Sequence, residues 1–240
     1  MSSSLHPSSQ EILKRFNLRF PKFYEQFVST EIQLENLGLA RKLYQTRQVV
    51  ICTEQEGEKT AIHFAAPNQP SLLRDVFGVL AAYNLTAHNL SIHGQIQSPT
   101  LIFMRLTVTR GGKPLTGKTQ ENICRALREA LAGRFEVEEM LSVERFENDY
   151  LEDVRTEFYI DQVFHLPALL VEGNTQEGVF YKIANAMAPE NLLVVNANLI
   201  VWQGRTRLIL YVLNRQASSI PDYLGHKLAD RVKQRLTQPV

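Results

Sequence analysis

Cysteine is nearly absent: Cys52 and Cys124 stand far apart, with no further ligand-type residues at metal spacing around them. That excludes a disulfide framework and a zinc-ribbon site, and two unpaired thiols point to a reducing, cytoplasmic setting. An excess of charge of either sign is also lacking. The 26 Lys and Arg against 25 Asp and Glu leave a net charge of +1, so no overall field favours nucleic acid or an anionic membrane. No apolar run approaches the roughly 18 residues of a membrane span. The opening Met1-Ser-Ser-Ser-Leu-His-Pro lacks the basic and apolar segments of a secretory signal. What remains is a chain of ordinary composition, 44% apolar and 21% charged, which suits a soluble globular protein.

Its 240 residues fit one large domain or two small ones, and an internal repeat favours two. Residues 71–94 lie over residues 178–201 without a gap. Leu72 falls on Val179, Val76 on Ile183, Leu80 on Met187, Asn84 on Asn191 and Asn89 on Asn196. After a slip of one residue, Ile102, Met104 and Leu106 fall on Leu208, Leu210 and Val212. The apolar pattern repeats through a helix, a turn and two strands, as a duplicated α+β unit requires.

Residues 1–46 read as a helical segment outside the repeats. Ser8 or Ser9 can cap residues 10–16, Pro21 interrupts, and Ser29 or Thr30 can cap a helix towards Tyr44. The first repeat, 47–150, opens with two β-rich runs, 48–52 and 59–66, around Glu56-Gly57-Glu58. Pro67-Asn68-Gln69-Pro70 breaks the strand, and Leu72, Leu73, Val76, Phe77 and Leu80 recur at helical spacing. Residues 86–96 and 100–109 alternate as strands around Gln97-Ser98-Pro99, and Ile123, Leu127 and Leu131 mark a second helix. Residues 137–143 are expected to close the sheet. The order βαββαβ builds a ferredoxin-like layer, four antiparallel strands with both helices on one face. The second repeat, 151–240, follows with a strand region at 158–171, a helix at 178–188, strands at 193–202 and 207–213, and a helix at 221–236. No closing strand follows that helix; either the fourth strand is missing or residues 158–162 supply an extra one.

Ala66-Pro-Asn-Gln-Pro-Ser-Leu-Leu resembles the Asp-Arg-Pro-Gly-Leu-Leu turn that opens the first helix of ACT domains. In the second repeat Asn174-Thr-Gln-Glu-Gly-Val-Phe offers Gly178 at the motif's glycine. Within that family the chain is similar to the C-terminal tandem ACT pair of the PII uridylyltransferase/uridylyl-removing enzymes. Val179-Phe-Tyr-Lys-Ile-Ala-Asn-Ala-Met resembles their last repeat, and Phe20-Pro-Lys-Phe-Tyr their preceding helical segment. The catalytic parts of those enzymes have no counterpart: there is no Gly-Ser loop with paired aspartates, and His-Asp does not occur as a dipeptide. The resemblance implies a non-catalytic regulatory protein, without metal or other cofactor. It would bind an amino acid, glutamine among the candidates, as an allosteric sensor of nitrogen status. A homo-oligomer or a regulatory protein partner is expected.

A helix N-terminus attracts a carboxylate, and a small residue there lets a ligand approach the backbone. The resemblance puts the pocket at an interface, facing the start of the second strand of the other module. The candidate ligand residues are therefore Asn68, Gln69, Ser71 and Thr86, with Asn174, Thr175 and Gly178. Ser71 replaces the glycine in repeat one, and Glu177 replaces proline in repeat two. Thr86 can hydrogen-bond at the strand start where Leu193 cannot. The pocket of Thr175 and Gly178 with Thr86 is expected to be open, and that of Asn68 and Ser71 with Leu193 closed. A structural turn or cap remains the alternative for each residue, and these departures leave open a protein interaction module with degenerate pockets.

Other motifs carry less. His88 and His93, five apart on a strand, point to opposite faces and cannot share a metal. Asp75, Glu121 and Asp222 read as helix carboxylates with no acid/base partner. Arg125, Arg128 and Arg134, and Lys227 to Arg235, read as solvated helix faces. Gly111-Gly112-Lys113 reads as a turn, and Trp202 as a packing residue.

Overall fold

The computed structural model describes residues 7–98, 100–143 and 150–238, with side chains from Gln10 onward. The cap expected from Ser8 or Ser9, and Pro99 of the expected turn, lie outside what is described. Two helices, α1 (Pro7–Asn17) and the short α2 (Phe23–Phe27), flank Pro21. A longer α3 (Thr30–Thr46) starts at Ser29, whose Oγ accepts from the Ile32 amide at 3.4 Å. This is the bond a serine makes when it satisfies a first-turn donor.

The first half then runs β1 (Val50–Glu56), β2 (Lys59–Pro67), α4 (Leu72–Ala82), β3 (Leu85–Gly94), β4 (Leu101–Arg110) and α5 (Gly117–Leu131). After a short α6 (Val137–Val143), the second half runs β5 (Arg155–Ile160), β6 (Pro167–Asn174), α7 (Val179–Met187), β7 (Leu193–Trp202), β8 (Arg205–Leu213) and α8 (Asp222–Thr237). The fold is α+β, and the strands form one antiparallel sheet. Its order, β1-β2-β4-β3-β7-β8-β6-β5, is a palindrome, so equivalent strands β3 and β7 meet at the centre.

Two expectations are corrected. Residues 137–143 do not close a sheet: they form α6, whose Val137 and Leu141 are buried in the core against α4. The order in each half is ββαββα rather than βαββαβ. The strand beside β2 is β1, and the strand beside β6 is β5, so the fourth position is filled from the front of each half. That also answers the open question about residues 158–162.

The repeat is visible in backbone detail. Asn84 and Asn191 end their helices in the left-handed region, at φ 52° and 54°. Both central strands carry a bulge, between Ala87 and Asn89 and between Val194 and Asn196. Asn89 Oδ1 accepts from the Leu90 amide at 2.8 Å, and Asn196 Oδ1 from the Ala197 amide at 2.9 Å. The slip before the last strand of the repeat is three residues, not one. The first hairpin closes beyond the Gln95 amide bond to Leu101 O at 2.8 Å, whereas Gln203 and Gly204, both at positive φ, make a two-residue type I′ turn in the second. Met104 is thus the counterpart of Leu208, and Leu106 that of Leu210.

Helices α4, α5, α7 and α8 cover one face of the sheet, and their apolar stripes join Ile62, Phe64, Leu106, Leu169 and Leu208 in one core. The other face is treated unequally. Over the first half it is covered by α1–α3, where Phe16, Phe20, Tyr24 and Leu39 pack on Ala65, Leu101 and Phe103. Strand β2, covered on both sides, is buried at nearly every position. His93 is enclosed there, its ring edge-on to Tyr24 at 5.3 Å, and burial pushes its pKa down to about 4. Over the second half this face carries a smaller cluster, Ala168, Val195, Tyr211 and Leu213, on which Ile96, Phe164, Leu166 and Ala217 pack, and Phe164 also touches Phe23.

Candidate functional site

The seam between the halves is antiparallel, but its ladder is reduced to the single pair His93↔Asn196. The start of β3 and the end of β7 are therefore unpaired with each other, and a cavity of about 580 Å³ opens where they part. That size lies within the ~300–1,000 Å³ of ordinary ligand pockets. Thr86 and His88 of β3 line one wall, and Val201 with Thr206 of the second hairpin lines another. The turn Thr175-Gln-Glu-Gly178 and the first turn of α7 form the third. Phe77 and Leu80 of α4 give an apolar floor, with the Phe77 and Phe180 rings 5.5 Å apart.

Local chemistry explains the turn. The Thr175 amide donates to Gly204 O at 2.7 Å, and the hydroxyls of Thr175 and Thr206 are 2.9 Å apart. The Val179 amide is used by Gln176 O at 3.2 Å, and Gly178 sits at φ 66° before the helix. This left-handed conformation suits glycine. The Lys182 amide is used by Gly178 O at 3.0 Å, and the positive end of the α7 dipole faces the cavity, which suits an anionic group. Glu177 is the acid of the lining, and no Lys or Arg is among the lining residues. His88 bonds Thr109 Oγ1 at 2.9 Å, and burial, with Lys59 nearby, lowers its pKa. It is therefore uncharged at neutral pH. Such a site offers groups that suit a zwitterion: the α7 N-terminus for a carboxylate, Glu177 for an ammonium, and Phe77 and Leu80 for an apolar portion.

The same parts recur at the opposite end of the seam, differently filled. Asn68 is the counterpart of Thr175, and its amide donates to Thr100 O at 2.9 Å as that of Thr175 does to Gly204 O. Its side chain is buried, and Nδ2 donates to Val194 O at 3.0 Å across the seam. Leu193 is buried, and Gly94 lies so close that a Cβ there would meet Val194 O at 2.6 Å. Gln69 and Ser71 line a shallow depression of about 530 Å³ with Arg74, Asn191 and Arg215, and Gln69 also borders a second cavity beside the end of α5.

Of the residues singled out in the sequence, Thr86, Thr175 and Gly178 share the open cavity, and Asn68 is spent on the seam. Asn174 is in neither, since it ends β6 opposite Arg205. His88, Val201 and Thr206 were missed. A bulge places His88, and the hairpin register places the other two. Among the described residues no group of three or more His, Cys, Asp or Glu can hold a metal ion, and no helix is long and apolar enough to cross a membrane.

No family model matches the chain, and no curated protein matches it. Among solved structures it is similar to an unknown protein from Galdieria sulphuraria, at 15% identity over 75% of this chain and 92% of that one, with a TM-score of 0.26. It is also similar to the trimeric bacterial microcompartment shell protein PduB, at 10% identity over 82% of each chain, with a TM-score of 0.22. At these scores neither likeness carries an argument about this chain.

Proposed function

We propose that the chain is a non-catalytic regulatory protein that binds an amino acid between two ACT-like repeats, residues 47–150 and 151–240. Each repeat is a ferredoxin-like unit whose fourth strand precedes its first. The observation that carries the reading is the cavity that sets the Thr175–Gly178 turn of one half against Thr86 of the other. A ligand there touches both halves, so its binding favours one arrangement of the seam, and a partner reads that arrangement. The resemblance of the turn motifs adds nitrogen or glutamine status as the signal, in the cytoplasm.

A thermal-shift panel of the twenty amino acids tests this, on the native chain and on Gly178→Trp and Thr86→Leu. A selective rise in Tm, lost in both variants, is the expected result. A flat panel at saturating concentrations rejects the sensor.

One feature favours a second reading, an interaction module. Ile200, Val201 and Trp202 at the tip of the second hairpin are exposed, Trp202 to 69%. Exposed apolar side chains grouped at one tip mark a contact surface more often than single ones do. Sedimentation showing a strict monomer, together with an empty pull-down, would sink that reading.

A further inference from the structure

A separate cavity of about 780 Å³, not shared with the open corner, lies where the C-terminal ends of α3 and α5 converge beside the start of β1, with Gln69 also on its rim. Leu43, Val49, Pro67 and Leu131 give it an apolar floor, and the half-exposed ring of Tyr44 stands at its edge. Three arginines also line it, Arg47, Arg128 and Arg134. No Asp or Glu is among the lining residues. The nearest acid bonded to the group is Glu129, which takes Arg134 in a two-point pair, Nε to Oε2 at 2.6 Å and Nη2 to Oε1 at 2.9 Å. Glu129 offsets one of the three charges, so the rim keeps a net charge of two.

Two simpler roles account for part of this. Cations near helix C-termini offset the negative end of the dipole, and Arg128 and Arg47 stand at the ends of α5 and α3. That role asks for one cation per helix, on an open surface. It does not call for a third arginine or for a concave apolar floor between them. Positive groups around a low-dielectric concavity focus potential on its interior, and guanidinium forks match the oxygens of a phosphate.

We infer that this cavity is a ligand site for a small molecule joining a doubly charged phosphate monoester to an apolar or aromatic body. The dianion balances the net rim charge. The body lies on Leu43 and Leu131 against Tyr44. Because α3 supplies one wall and α5 another, such a ligand would brace the N-terminal helices on the first half. It stands independently of the seam cavity.

The test titrates the full chain with 1-naphthyl phosphate, followed by the fluorescence of the naphthyl ring. Inorganic phosphate and 1-naphthol serve as the separated head and body. Saturable one-to-one binding is expected, about tenfold weaker or worse in Arg128→Gln and in Arg47→Gln, as the loss of a charge-assisted hydrogen bond implies. Thr86→Leu, at the seam, leaves it unchanged. Binding that both arginine variants retain in full, inorganic phosphate binding as tightly as the ester, or no saturation at millimolar ester overturns the proposal. Circular dichroism checks each variant, and Arg134→Gln replaces any that fails to fold.

Discussion

At one end of the central seam Thr86, Thr175 and Val201 stand apart around a cavity; at the other, their counterparts Leu193, Asn68 and Gly94 are packed into contact. The backbone that carries them matches in its bulges and in the turn hydrogen bonds of Asn68 and Thr175, but differs at Ser71 (φ −78°) and Gly178 (φ 66°) and in the turns of the two hairpins. Side chains supply the contacts that close one corner and not the other. Glycine at position 94 lets two strands approach, and asparagine at 68 staples them. Valine, threonine and threonine in the matching places do neither. A duplicated scaffold can thus keep one concave corner and seal the other with three residues.

The comparison can be broken hardest at Gly94. A Cβ there would meet Val194 O at 2.6 Å and Val195 Cα at 2.8 Å, both backbone atoms that cannot turn aside. Gly94→Val, which copies the open corner, should cost about 3 kcal/mol in urea unfolding, at the upper end for overpacking. A cost under about 1 kcal/mol would mean the strands are not in contact. Next comes Glu190, at the end of the short turn beside the closed corner. Burial works against its charge, but Arg231 and Arg235 outweigh that and hold its pKa below the ordinary 4.5. Glu190→Gln should lose about 2 kcal/mol at neutral pH. Since the folded value is depressed, this contribution is complete above pH 4.5 and fades as pH falls through the lowered value. Wild type and variant should therefore converge in strong acid; a gap that persists there refutes the ionic origin.

Removing the staple has a smaller effect. Asn68→Ala leaves Val194 O without its donor from across the seam and should cost about 1.5 kcal/mol. Hydrogen exchange at the first residues of β7 should quicken in step. Smallest in stability is Thr86→Leu, an exposed position where a change within about 0.5 kcal/mol is expected. It gives the open corner the residue of the closed one. Its readout is the loss of any amino-acid-induced rise in Tm, and a retained rise would show that Thr86 is not part of the pocket.

Much of this scaffold was legible in the chain. Helical spacing from Leu72 to Leu80 and alternation through Leu90 and Ile92 identified α4 and β3, and the paired asparagines anchored the repeat. Two errors share one cause. Val137, Met140 and Leu141 have helical spacing, yet the segment reads as a strand if a fourth strand must follow the second helix. The fourth strand is the β-rich run upstream, β1, which the βαββαβ order leaves without a place. The hairpin slip was misjudged for a different reason. Strand alternation has a period of two, so a shift from one residue to three leaves every face unchanged and no apolar residue out of place. The burial of His93 was also hidden, because its cover comes from α2, far away in sequence. As for the candidate site, the residue types at its corner could be read. Which hydroxyls meet there depends on strand order and on a ladder that stops at His93.

The palindromic sheet has one consequence for titration experiments. Two identical chains meeting across such a seam would present two equal corners, and any difference between them would have to arise on binding. Within one chain the two corners need not be equal, and here they differ. A ligand of the proposed kind is therefore expected to saturate the open corner along a plain hyperbola, with one molecule per chain.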